Sequence, residues 1–263
     1  MASKKIYCVF DTETLGVDNK WIYDLGMIII NKKGKVLTKK RWIIKEIMEI
    51  PGIERLAYYG SKIPVFYKGL ETVSFLQTKQ EFNQLLEEYQ VTTITAYNLQ
   101  FDMSAITDTL TYTGIKGKFL NKNYEYFDLW NASCDSFFQQ KKFKETAVKE
   151  NWLTEKGNIR TSAEIAYRYI TNNYQFIETH TALEDAEIEG AILCKVLQQK
   201  KKIIRNKIVA HPWRKIKKPD RPYTREQYIA YVQNIVLTGR SPHPADIKLP
   251  KNHSLIIFSG RGR

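Results

Sequence analysis

Asp11 and Glu13 stand two residues apart at the end of a short apolar run, Ile6-Tyr7-Cys8-Val9-Phe10. If that run is a strand, its period of two sends both carboxylates to the same face. Adjacent anions raise each other's pKa unless a cation lies between them, and an all-oxygen donor set of this kind suits Mg²⁺ or Mn²⁺. Taken alone, such a pair at a strand end is more often solvated surface. Gly16 follows in Thr14-Leu15-Gly16, where a missing side chain would let a substrate approach the backbone. A third carboxylate, Asp102, opens a helical pattern after a second apolar run, a place where aspartate also serves simply as an N-cap. His180 and Asp185 flank Thr181 and Glu184, whose capping-box spacing predicts a helix beginning at Ala182. His180 then precedes the helix and Asp185 sits in its first turn, so both can face one site. Within a continuous helix, residues five apart would diverge by about 140°. A histidine with an ordinary pKa of about 6.5 suits proton transfer at neutral pH.

The elements that must position these groups are legible as patterns of two and of three to four. Runs at 6–10, 25–30 and 36–44, joined by short links that include Asn31-Lys32-Lys33-Gly34, predict three strands in an antiparallel meander. Residues 45–80 contain Pro51, Gly52, Gly60, Pro64 and Gly69, which break any long element and leave short helices or loops. In that stretch Tyr58, Tyr59, Phe66 and Tyr67 are candidates either for burial or for stacking on bases. A helix over 81–89, a buried strand over 91–96, a loop through Tyr97 to Asp102 and a helix over 103–112 follow. A short strand over 125–129 and helices over 131–151, 162–171 and 182–200 complete the pattern, with one more helix over 225–237. Strands first and alternating elements later imply an α/β fold, a mixed sheet flanked by helices. The expected division is a domain over residues 1–200 and a basic C-terminal extension over 201–263.

The extension is set apart by charge. Residues 1–198 carry 25 Lys and Arg against 25 Asp and Glu, whereas 199–263 carry 16 against three, so the net charge of +13 resides at the C-terminal end. A block this basic, with Lys200-Lys201-Lys202, Arg214, Lys215, Lys217, Lys218 and Arg221, attracts polyanions through counterion release. It also fits a merely solvated tail. No apolar run approaches the roughly 18 residues of a membrane helix, and the N-terminal charges lead into no signal-like apolar region. A cytoplasmic protein with no membrane partner is expected, of a bacterial cell or a phage-infected host. Cys8, Cys134 and Cys194 are odd in number and widely spaced, which predicts reduced, mostly buried thiols rather than disulfides or a zinc site.

The ordered set Asp11-Thr12-Glu13-Thr14-Leu15-Gly16, then Asn98-Leu99-Gln100-Phe101-Asp102, then His180 with Asp185, resembles the DEDDh (DnaQ-like) 3′–5′ exonucleases. That family includes the proofreading subunit of bacterial replicative DNA polymerase. The resemblance covers roughly residues 4–200 and implies a ribonuclease-H-like fold, with two Mg²⁺ or Mn²⁺ ions on Asp11, Glu13, Asp102 and Asp185 and His180 as general base. Thr181 stands where the sister tyrosine branch would have its tyrosine. The same resemblance implies that Thr12, Thr14, Leu15, Gly16, Asn98 and Phe101 meet the substrate strand. Single-stranded nucleic acid is the expected partner, with DNA ahead of RNA, and a polymerase is a candidate partner of the extension. The rival readings are an RNA 3′-end-trimming exoribonuclease and a non-catalytic nucleic-acid-binding or polymerase-associated module.

Overall fold

The computed structural model describes residues 5–154 and 156–218. The opening meander consists of β1 (Ile6–Thr14), β2 (Ile22–Asn31) and β3 (Val36–Ile44), antiparallel throughout. The first two strands outrun their apolar cores because the ladder continues past Asp11 to Thr14 opposite Ile22, with a register shift between Glu13 and Thr14. Such an irregularity bends a strand and re-aims its side chains. The Pro- and Gly-broken stretch gives α1 (Lys45–Met48), α2 (Ile53–Leu56), a 3₁₀ turn at Gly60–Lys62, α3 (Ile63–Phe66) and β4 (Thr72–Val73). These are the short elements that its breakers dictate.

Next come α4 (Phe75–Glu88), β5 (Thr93–Ala96), α5 (Leu99–Tyr112), β6 (Glu125–Asp128) and α6 (Leu129–Asp135). A 3₁₀ turn at Phe137–Gln139 leads to α7 (Lys141–Lys149), α8 (Ala163–Thr171) and α9 (Ala182–Gln198). Helix α4 starts well before its most regular apolar pattern because the Ser74 hydroxyl accepts the Gln77 N–H at 3.1 Å and caps it. The single helix expected over 131–151 is divided, since Phe137 and Phe138 are both fully buried and the chain turns at Ser136 to bring them inward. The helix expected over 225–237 lies outside the described residues, as does Arg221.

The six strands form one mixed sheet in the order β4-β3-β2-β1-β5-β6, with β1, β5 and β6 parallel to one another. This mixed α/β sheet flanked by helices, opening on an antiparallel meander, is the fold class expected from the sequence. Alternation along β1 divides the core. Cys8 and Phe10 join the apolar layer beneath α4 and α5, whereas Tyr7 and Val9 join the layer beneath α6 to α9. Asp11 and Glu13 continue the second series and so emerge on the α9 face. Helix α9 crosses that face in close contact with the sheet. A Cβ on Gly26, the residue opposite Asp11, would lie 2.2 Å from the Leu183 nitrogen, so only glycine permits the approach.

Residues 201–218 lie against the same body. Backbone and side chain of Asn206 pair with Tyr126 on β6, and Arg205 pairs with Glu125. A 3₁₀ turn at Pro212–Lys215 is held by buried Pro212 and Ile216 and by Lys215, whose ammonium reaches Asn131 and Asp135. The three cysteines are free, Cys8 and Cys134 buried and Cys194 partly so. Among the described residues no helix is long and apolar enough to cross a membrane.

Candidate active site

Three segments distant in sequence meet in one pocket of about 320 Å³. β1 supplies Asp11, Thr12, Glu13 and Thr14, the first turn of α5 supplies Phe101 and Asp102, and the entry to α9 supplies His180 and Asp185. The local geometry explains the convergence. Asp102 lies inside α5 rather than at its N-cap, which is Asn98 in a left-handed conformation with φ 69°. The loop expected through Asp102 is thus helical from Leu99 onward. His180 also takes a left-handed backbone, φ 55°, and this turns its ring back so that Nδ1 stands 4.0 Å from an Asp185 carboxylate oxygen.

Helix α9 does begin at Ala182, but the Thr181–Glu184 capping box does not form. Thr181 makes no side-chain cap, and Glu184 instead accepts the Thr179 hydroxyl. The cap comes from across the fold. Asp24 of β2, fully buried, accepts the Ala182 N–H at 3.0 Å. The same carboxylate takes a two-pronged ion pair from Arg41, at 3.0 and 2.8 Å, and the Tyr67 hydroxyl at 2.9 Å. An ionised acceptor at a helix N-terminus is favourable in itself, and here it fixes where His180 and Asp185 stand.

The site holds more acid than the sequence disclosed. Glu178 and Glu189 line the pocket beside the four expected carboxylates. Glu189, 2% exposed, accepts the Tyr97 N–H at 3.0 Å. One helical turn separates it from Asp185 on α9, and that spacing of four was the available signal. Burial followed by the neighbouring anions pushes Glu13 up to about 8. Burial raises Asp102 to about 8, and burial with Glu178 raises Asp185 to about 10. Asp11 is also raised, by burial and then by Asp102. Glu13 and Asp185 carry carboxylate oxygens within 4.8 Å of each other. Burial, aided by Lys62, lowers His180 to about 4. Without cations all of these shifts disfavour the charged forms.

Two walls come from the broken 45–80 stretch. Tyr59 stacks on the His180 ring at 4.1 Å and 10° between planes, and the Lys62 ammonium donates to the Thr179 carbonyl while lying 4.9 Å from the Tyr59 ring. Tyr58, 75% exposed, stands at the pocket mouth, and Phe66 is exposed away from it. Tyr67 is buried and serves Asp24.

The residues expected to touch a strand are dispersed. Gly16 and Phe101 line the pocket, with open space where a Gly16 side chain would be. Thr12 lines it too, yet its hydroxyl donates to Asp102 at 2.8 Å, and the Thr14 hydroxyl donates to the Gly16 carbonyl at 3.2 Å. Leu15 is buried in the core. Asn98 is exposed outside this pocket, on an adjoining cleft.

Glu13, His180 and Asp185 offer ligand atoms that all lie within 4.8 Å of one another. Asp185 Oδ1 is also buried without a hydrogen-bond partner. A hard divalent cation would satisfy such an orphaned oxygen and relieve the crowded acids.

No protein-family model matches the sequence, and no curated protein matches it. Solved structures of Escherichia coli exonuclease I do resemble the fold. The complex with a dT13 oligonucleotide matches at 12% identity and a TM-score of 0.49 over 75% of this chain and 42% of that one. The dA16 complex gives 14% and 0.48 over 75% and 41%, and the zinc-bound complex with single-stranded DNA gives 13% and 0.45 over 74% and 40%. The chain thus spans less than half the length of the exonuclease I chains it matches.

Proposed function

We propose that this chain is a divalent-metal-dependent exonuclease that hydrolyses phosphodiester bonds at the 3′ end of single-stranded DNA. The observation that supports this reading best is the gathering of Asp11, Glu13, Asp102, His180 and Asp185 from three segments into one pocket. The orphaned Asp185 Oδ1 and the oxygen-rich donor set fit hard divalent cations. Asp11, Glu13, Asp102 and Asp185 would hold two Mg²⁺ or Mn²⁺ ions, which supply an activated water and neutralise charge on the attacking and leaving oxygens.

The chain's own groups do the rest. His180, neutral at pH 7 and partly exposed to the pocket, accepts a proton from the attacking water as general base. Tyr59 holds its ring by stacking. Thr12 fixes the Asp102 carboxylate. Phe101 and Tyr58 present aromatic faces at the pocket wall to the terminal base, and the bare backbone at Gly16 leaves room for its sugar.

The test is a time course on 5′-labelled single-stranded DNA and RNA oligonucleotides of one sequence, with Mg²⁺, Mn²⁺ or EDTA. A ladder shortening from the 3′ end, dependent on metal and lost in Asp11→Ala, is the expected result for DNA. Faster shortening of the RNA would move the assignment to an exoribonuclease. Retained binding with no cleavage in any metal would instead favour the non-catalytic module.

A further inference from the structure

Beside the carboxylate pocket lies a larger and less polar cleft of about 610 Å³, whose walls include Tyr97, Asn98, Trp130, Asn158, Arg160 and Trp213. Tyr97 and Ala163 line both cavities, so the cleft adjoins the acidic pocket. Its two tryptophans come from different parts of the chain. Trp130, near the start of α6, donates its indole N–H to Thr161 at 2.9 Å, and its ring lies 25° from that of Tyr97 at 6.3 Å. Trp213 belongs to the basic segment and is only partly buried, while its neighbours Pro212 and Ile216 carry the anchoring.

Cations fringe this aromatic cleft. Arg160 on its wall is exposed, and the Arg214 guanidinium lies 5.6 Å from the Trp213 ring. Partly exposed aromatic faces flanked by arginine can meet bases on one side and phosphates on the other, without regard to sequence. We propose that this cleft seats the nucleotides upstream of the 3′ end, stacked on Trp213 and Trp130, with their phosphates met by Arg160 and Arg214. The inference rests on the function proposed above. It assigns the first turn of the basic extension to the substrate path and makes Trp213 a binding residue set apart from the chemistry.

The experiment compares the full-length protein with Trp213→Ala, Trp213→Phe and Arg160→Gln on two substrates: a ten-nucleotide single-stranded DNA, and thymidine 5′-(p-nitrophenyl phosphate), which is small enough to fill the carboxylate pocket alone. Loss of one stacked base typically weakens binding about tenfold or more. Trp213→Ala should therefore raise KM for the decamer by about that factor with kcat little changed, Trp213→Phe should recover most of it, and Arg160→Gln should raise KM and flatten its salt dependence. The small ester should be hydrolysed equally by all four proteins. Unchanged decamer KM in both Trp213→Ala and Arg160→Gln would overturn the proposal. Decamer binding is followed separately by anisotropy in EDTA. If the wild type hydrolyses neither substrate yet binds the decamer, and Trp213→Ala loses that binding, the cleft stands and the exonuclease reading falls. No binding of the decamer by the wild type overturns the cleft.

Discussion

The two adjoining cavities are built in opposite ways. The carboxylate pocket draws its acids from the interior of β1, α5 and α9, and Glu13, Asp102, Asp185 and Glu189 are all nearly inaccessible. The aromatic cleft is walled by residues 158–163, the start of α6 and the extension around Trp213. Reactive groups must be held to fractions of an ångström, which packed elements can do. Gripping a flexible strand tolerates looser construction, which turns and extensions supply. Substitutions in the first cavity should therefore act on turnover, and those in the second on binding.

The largest separation is expected with Asp185→Ala. It removes a proposed ligand whose Oδ1 has no other partner, so hydrolysis should fall close to background while decamer binding persists in anisotropy. A variant that lost binding in proportion to activity would erase the distinction between the cavities. His180→Ala should follow at on the order of 10²–10⁴ in kcat, the usual loss for a general base, again with binding retained. Single-turnover rates near those of the wild type would remove His180 from the chemistry. A different kind of loss is expected from Asp24→Ala, which strands Arg41 and uncaps α9. Breaking a buried pair from one side commonly costs about 3–5 kcal/mol. Urea denaturation should show that loss, whereas Trp213→Ala should leave the urea midpoint almost unmoved. Equal midpoints for Asp24→Ala and the wild type would deny Asp24 its part in holding the site together.

The same contrast governs what could be read from the sequence. Asp11 with Glu13, and His180 with Asp185, are near neighbours in the chain, so strand period and helix start were enough to place each pair on one face. Asp102 followed because it lies beside the end of a legible strand. The sheet was legible for the same reason, since its strands are apolar runs bounded by turns. Asp24 was not, because its partners Arg41, Tyr67 and Ala182 meet only after β2, β3, α3 and α9 have packed. This long-range cap displaced the local Thr181–Glu184 box, which spacing alone favours. Tyr59 and Lys62 reach His180 from a stretch whose breakers erased any periodic signal. Leu15 shows the converse: adjacency to a motif suggested a place at the substrate, and the fold buries it in the core, while Asn98 lies on the neighbouring cleft rather than in the carboxylate pocket.

The smallest effect expected is on the stability of the metal-free protein, and its sign is specific to the acidic pocket. Carboxylates held above their ordinary range keep protons in the fold that the unfolded chain releases. Each such group favours the fold at low pH and withdraws that support as pH climbs from the ordinary carboxylate range toward its folded value. Glu13 and Asp102, at about 8, and Asp185, at about 10, all act in this sense. His180, lowered to about 4, acts oppositely, but only below its unfolded value of about 6.5. Between pH 6.5 and 8 the carboxylates are unopposed, so the melting temperature in EDTA should fall across that interval. Mg²⁺ or Mn²⁺ binds the ionised acids and should raise the melting temperature, most at pH 8. Trp213→Ala should follow both curves in parallel with the wild type, because the aromatic cleft carries none of these acids, whereas Asp185→Ala should flatten the first and lose most of the second. Melting in EDTA that is flat or rises with pH would mean that the acids are not held protonated together. The contrast between the two cavities would then rest on kinetics alone.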